Sequence, residues 1–415
     1  LFLSILSFNT QAALDCSVEG RIGMDGTQLK YCDDVGEVVV DFPGELTEII
    51  SYGTNYAEDN YLLSPYHIAE CNGYLYQTNE YNGEIGVFNI STPNDPFLQK
   101  KAAIAPLTRA YSILCEGTKA YVISSNKLVV FDTTDPLNPV SVGSVTNSNI
   151  GTKSGELKKI GNTVYLTNMS GDKFVVLDVT TSSSPSFVGS YANPANLDEP
   201  LGFDVVAGYA YIASGVTEEV VVLDVSNPAS ITFEGVLSDT RIIDPYDIVN
   251  VGGYLYVISS KPTSMNDIPI LNISIPTTPY IQLVKDIDYG VRVISGAGLA
   301  VQDGNNLYIA GTEGRNSDEH IASFDTTDPL KPILTSSIPA NGMQRSDAFG
   351  VFTLSSNGNI YTYNKDTFTL ITIEIATKKQ VLYDPQSVVE DSGVVLPDHM
   401  VIANGLAVVV GGLAS

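Results

Sequence analysis

Phe203-Asp204-Val205-Val206, Ala207-Gly208, Tyr209-Ala210-Tyr211-Ile212-Ala213 and Val220-Val221-Val222-Leu223-Asp224 follow one another in the middle of the chain. They read as an apolar strand, a glycine turn, an aromatic strand and an unbroken aliphatic strand. β-Branched and aromatic residues bounded by Gly and Asx are what strands and their turns require. A Val and Ile run with no polar alternation implies a strand buried on both faces.

The aliphatic pentapeptide recurs along the chain. Copies stand at Glu37-Val38-Val39-Val40-Asp41, Ile85-Gly86-Val87-Phe88-Asn89, Leu128-Val129-Val130-Phe131-Asp132 and Phe174-Val175-Val176-Leu177-Asp178. Beyond Val220 to Asp224 come Ile268-Pro269-Ile270-Leu271-Asn272, Ile321-Ala322-Ser323-Phe324-Asp325 and Leu370-Ile371-Thr372-Ile373-Glu374. Their last residues fall at 41, 89, 132, 178, 224, 272, 325 and 374, so successive copies lie 43 to 53 residues apart. Four strands of about five residues with their turns consume about 40 to 50 residues. Each period is therefore a four-stranded unit. The aromatic strand recurs as Tyr74-Leu75-Tyr76, Ala120-Tyr121-Val122, Tyr254-Leu255-Tyr256 and Tyr361-Thr362-Tyr363.

After the pentapeptide the pattern Asp/Asn-x-Ser/Thr-x-Pro appears at Asn89 to Pro93, Asp132 to Pro136, Asp224 to Pro228, Asn272 to Pro276 and Asp325 to Pro329. A short polar side chain can bond a nearby amide, and proline ends the strand pairing. One such Asp-x-Ser could be taken for a catalytic or metal motif. Its recurrence favours a turn, which every unit needs, over a catalytic group, which is needed once.

These pentapeptides, the Ser/Thr-x-Pro turn after them and the Tyr-Ala-Tyr strand before them resemble the LVIVD repeat of bacterial and archaeal surface or secreted proteins. The resemblance covers residues 37 to 411 and implies an all-β fold, a β-propeller of four-stranded blades. It brings no established catalytic residue. Ala376-Thr377 in place of the usual turn, and Pro269, depart from the pattern.

The ends carry a separate signal. Residues 37 to 53 hold a pentapeptide strand and a last strand, Glu48-Ile49-Ile50-Ser51-Tyr52, while residues 398 to 411 hold a first strand, Asp398 to Ile402, and a second, Leu406 to Val410. Joined, they make one blade shared between the termini, which removes exposed strand edges. That predicts eight blades, with seven as the alternative, in a single propeller domain over residues 37–415.

Asp and Glu total 47 against 21 Lys and Arg, a net charge of −26. Such a surface repels nucleic acid and anionic bilayers, so no nucleic-acid partner is expected. Residues 1–13 read as a truncated signal peptide, with Leu1 to Phe8 as its apolar core and Thr10-Gln11-Ala12 supplying small residues for cleavage. No later segment reaches membrane-spanning length. The chain is thus expected to be secreted or held at the cell surface. Four cysteines in an exported chain favour disulfides. Three connectivities are open; proximity favours Cys16 with Cys32 in an N-terminal extension over 14–36, and repeat register favours Cys71 with Cys115.

In a propeller the first strand of each blade lines the central channel, and ligands gather at its mouth. Counting nine residues back from the equivalent Tyr of each second strand gives His67, Ser112, Glu156, Gly202, Asp247, Leu299 and Phe352, with His399 counted from Val408. The shared blade would make His399 and His67 neighbours, inviting a metal or acid–base reading. The plainer reading is that each caps a strand.

Other chemistry is sparse. There is no Trp, and there are three His. The chain has no Gly-x-Ser-x-Gly elbow, Walker loop, EF-hand loop or Cys-x-x-Cys. Repetition without a singular catalytic constellation favours an extracellular binding or scaffold module for protein or glycan, with no resident cofactor. The alternative is a metal-assisted hydrolase of lactone or ester type, with a divalent ion such as calcium at the channel mouth.

Overall fold

The computed structural model describes residues 22–25, 28–33, 36–39, 46–52, 65–81, 83–91, 96–259, 267–286, 297–311, 320–339, 352–356, 358–364, 369–375, 397–403 and 406–411. The expected signal peptide and Cys16 lie outside them. The chain divides into two compact units, one of residues 1–44 and 377–415, the other of residues 45–376.

In the smaller unit, β1 (Ile22–Asp25), β2 (Gln28–Asp33) and β3 (Gly36–Val39) form one antiparallel sheet. The larger unit begins with β4 (Leu46–Tyr52). Its first sheet is β5 (Pro65–Cys71), β6 (Tyr74–Asn79), β7 (Glu84–Asn89) and β8 (Phe97–Ala103). The second is β9 (Ile113–Glu116), β10 (Lys119–Ser124), β11 (Lys127–Asp132) and β12 (Val140–Thr146). The third is β13 (Ser154–Ile160), β14 (Thr163–Asn168), β15 (Lys173–Asp178) and β16 (Ser186–Ala192). The fourth is β17 (Pro200–Val206), β18 (Tyr209–Ser214), β19 (Glu219–Asp224) and β20 (Thr232–Ser238).

The fifth sheet is β21 (Pro245–Val251), β22 (Tyr254–Ser259), β23 (Asp267–Asn272) and β24 (Tyr280–Asp286). The sixth is β25 (Ala297–Asp303), β26 (Asn306–Gly311), β27 (His320–Asp325) and β28 (Ile333–Pro339). The seventh joins β29 (Phe352–Leu354), β30 (Asn359–Asn364) and β31 (Thr369–Ile375) to β4. In the smaller unit β32 (Pro397–Ala403) and β33 (Leu406–Gly411) pair with each other.

First strands touch in the order β5, β9, β13, β17, β21, β25, β29 and back to β5. The four-stranded sheets thus stand as propeller blades around their first strands. The expected eight-blade arrangement is not what forms: seven four-stranded sheets occur among the described residues. The terminal half-blades do not combine, because β4 is taken up by β31 (Leu370↔Tyr52 through Ile375↔Leu46), whose sheet has no other described fourth strand. Glu37 to Val39 of the first pentapeptide, in β3, pair with β2 instead.

The doubly buried pentapeptide has a concrete cause. Val221 and Leu223 of β19 pack toward the third sheet, against Tyr165, Phe174 and Val176. Val220 and Val222 pack toward the fifth, against Ile248, Leu255 and Val257. Alternate residues of a strand face opposite ways, so a strand between two neighbours must be apolar throughout. Ala207-Gly208 turns β17 into β18 with both φ angles positive (50° and 85°), the two-residue hairpin geometry that glycine eases.

The turn after the pentapeptide is fixed internally by its Asx side chain, and in three places a tyrosine of the preceding sheet bonds to it. The Asx of the turn accepts the backbone N–H two residues on, in Asn89, Asp132, Asp178, Asp224, Asn272 and Asp325, at 2.8–2.9 Å. Proline's carbonyl in that turn then receives a phenol from the preceding sheet: Tyr76 Oη donates to Pro136 O (2.6 Å), Tyr211 Oη to Pro276 O (3.3 Å) and Tyr256 Oη to Pro329 O (2.6 Å). Cys71 and Cys115 are disulfide-bonded across the first two sheets, with Cα atoms 5.3 Å apart.

Candidate functional site

Six of the ring positions are equivalent in the structure. Each immediately precedes a residue in matching register with the second strand: Ile68↔Gln77, Ile113↔Val122, Leu157↔Leu166, Phe203↔Ile212, Ile248↔Val257 and Ala300↔Ile309. In the seventh sheet it is Phe352 itself that pairs with the matching Thr362. The hairpin there is one residue longer, so the count of nine from Tyr361 falls one residue short and Phe352 is not a ring residue.

His399 occupies the same register, paired with Val410, but on β32 in the other unit, and its side chain lies outside the described residues. The neighbour relation expected with His67 depended on the shared terminal blade, which does not form.

His67 sits where β5 bulges. Its N–H donates to Thr78 Oγ1 (3.0 Å), and that hydroxyl donates to Tyr111 O on the next sheet (2.5 Å). The same relay runs from Glu156 N–H to Thr167 Oγ1 (3.0 Å) and on to Leu201 O (2.6 Å). Nδ1 of His67 is sealed from solvent with no hydrogen-bond partner. Burial pushes its pKa down to about 4, against a backbone hydrogen bond at Ile68 that raises it, so the imidazole is neutral at pH 7.

Ser112 is fully buried, with its hydroxyl 2.8 Å from both Gly155 O and Ser154 Oγ. Tyr66 and Tyr111 meet edge to face beside it, and Tyr66 Oη donates to Ser154 O (3.1 Å).

Glu156 and Asp247 come together around a residue the ring count did not reach. Lys158 Nζ lies 3.0 Å from Glu156 Oε1 and 3.9 Å from Asp204 Oδ2, donates to Phe203 O and sits over the Phe203 ring. Glu156 Oε2 accepts the Phe203 N–H (2.7 Å). Asp204 Oδ2 accepts the Asn250 N–H (2.8 Å), and Asp247 Oδ2 accepts the Ala300 N–H (3.0 Å). Each carboxylate thus bonds a main-chain amide on the following sheet.

Burial raises the pKa of Glu156; Lys158 lowers it, Asp247 raises it again, and the result is pushed up to about 8. Burial also raises Asp247, against Lys158 and the amides of Ala300 and Ile248. For Lys158 burial alone lowers the pKa, but Glu156, Asp204 and Asp247 outweigh it and hold the ammonium above its ordinary range. Lys158 and Asp204 lie two residues beyond ring positions 156 and 202, on the same strand face. A second count at that offset would have found them.

Among the described residues no three His, Cys, Asp or Glu gather in a way that could hold a metal ion. No described helix is long and apolar enough to cross a membrane.

Residues 109–147, 160–193 and 204–239 match the family model of the LVIVD repeat. No curated protein matches the chain. Among solved structures, the WD40 domain of Pan2 from Neurospora crassa aligns at 11% identity over 82% of this chain and 98% of its own, with a TM-score of 0.53. A protein from Lactobacillus plantarum aligns at 11% identity over 73% of this chain and 97% of its own, with a TM-score of 0.51. WD40 domains are β-propellers, and likeness at this identity speaks to the fold alone.

Proposed function

We propose that this chain, whose second to fourth sheets carry LVIVD repeats, acts outside the cell as a binding or scaffold propeller for a protein or glycan partner, without catalysis. One observation carries the reading. Four ionisable residues of the inner strands are engaged within the protein: Glu156, Asp204 and Asp247 each accept a main-chain amide of the next sheet, and Lys158 is shared among them. A carboxylate held this way is a poor general base, because taking a proton would break the bond that positions it. The Cys71–Cys115 disulfide supports an oxidising, extracellular setting.

The test applies the purified full chain to a glycan array and, in parallel, to a panel of lactones and esters with calcium present. Saturable binding without turnover is the expected result. Turnover that disappears in Asp247→Asn would overturn the reading in favour of a hydrolase.

A further inference from the structure

The first sheet breaks the repeat at one buried place. Across the second and third strands, the second, third, fourth and sixth sheets set Val122 opposite Val129, Leu166 opposite Val175, Ile212 opposite Val221 and Ile309 opposite Ala322. At the same register the first sheet sets Gln77 opposite Gly86. A primary amide stands where the others have an aliphatic group, and its cross-strand neighbour has no side chain. Gln77 is wholly buried (0% exposed), and among the described residues neither its Oε1 nor its Nε2 has a hydrogen-bond partner.

Strand alternation says what this amide faces. Gln77 shares a face of β6 with Leu75, and Gly86 shares a face of β7 with Phe88. Leu75 and Phe88 pack, with Ile68, against Tyr361 and Leu370 of the seventh sheet. The amide is therefore set into the seam at which the ring closes, where β29 meets β5. Thr78 points the other way, to Tyr111 O of the second sheet. Asn79 lies on the same face as Gln77, is 1% exposed, and accepts the Tyr81 N–H at its Oδ1 (2.9 Å).

A side-chain amide has two donor hydrogens and an oxygen with two acceptor positions. Sealing it in apolar surroundings with none of these used is unfavourable, and the aliphatic groups along the seam cannot use them. Water can donate to Oε1, accept from Nε2 and keep further bonds for a second polar group such as Asn79.

We propose that the seam between the first and seventh sheets holds an internal water site, in which ordered water is bound by the Gln77 amide beside the bare backbone of Gly86. The aliphatic pairs of the second, third, fourth and sixth sheets offer water no such anchor, so those seams are dry at this level.

Magnetisation transfer from water tests the site in the full chain, deuterated and carrying labelled glutamine, with the Gln77 side-chain amide assigned through its own carbons to the backbone. The expected result is a slowly exchanging Gln77 amide pair that receives dipolar transfer from long-lived water, with opposite signs in the laboratory and rotating frames. A Gln77 pair that receives no such transfer would overturn the site, because the amide would then be held by protein groups alone. Gln77→Leu, which restores the aliphatic pattern, should lose one long-lived water in oxygen-17 relaxation dispersion; an unchanged count would also overturn the site.

Discussion

The ammonium of Lys158 lies 3.0 Å from Oε1 of Glu156, two residues earlier on the same inner strand, and both side chains are partly enclosed. That pairing makes a three-carboxylate cluster tolerable. Removing one partner of an enclosed pair costs more than the pair itself contributes, because the other charge is left behind.

Lys158→Met is therefore expected to destabilise the chain by about 2–4 kcal/mol, less than for a fully sealed pair because some water reaches the group. Denaturant unfolding at pH 7 measures it. A change within 0.5 kcal/mol, the usual range for surface sites, would mean that solvent already screens the cluster.

His67 gives the acid limb. Its pKa is lowered from 6.5 to about 4 on folding, so it contributes stability present above about pH 6.5 and lost as pH falls through 4. His67→Gln should flatten the stability profile between pH 4 and 6.5. A ¹H NMR titration of the His67 ring with a midpoint near 6.5 would contradict this.

The Tyr-to-Pro bonds join blade to blade. Tyr256→Phe removes only the oxygen that donates to Pro329 O at 2.6 Å, and should cost about 0.5–1.5 kcal/mol, the net worth of a partly buried hydrogen bond. Thermal unfolding of Tyr256→Phe, Tyr76→Phe and the double variant should show near-additive losses, because the two bonds share no residues.

Gly189 marks where a fourth strand presses on the next turn. A Cβ there would stand 2.2 Å from Pro228 O, a main-chain atom that cannot step aside. Gly189→Ala should destabilise by at least about 1–3 kcal/mol, the range for overpacking. A melting temperature unchanged from wild type would show that the adjoining sheets can separate.

Much of this architecture was legible in the residues. The Val220 to Asp224 stretch reads as doubly buried because it lies between two sheets, and the recurrent Asx turns carry their own hydrogen-bond chemistry. Pairing partners were not legible. The alternation in Glu48 to Tyr52 suits any open edge, and only the three-dimensional arrangement shows it on β31. Lys158 escaped because a single ring position was counted, although strand alternation already placed it beside Glu156. The Tyr256–Pro329 bond spans 73 residues and has no local signature.

The central claim is that the inner-strand carboxylates hold sheet to sheet. Amide hydrogen exchange at Phe203, Asn250 and Ala300 tests it most directly, because these N–H groups are the ones that Glu156, Asp204 and Asp247 accept. The expected result is protection comparable to the strand ladders, with Ala300 alone accelerated in Asp247→Ala. Exchange of all three at unprotected rates in the wild type would contradict the account.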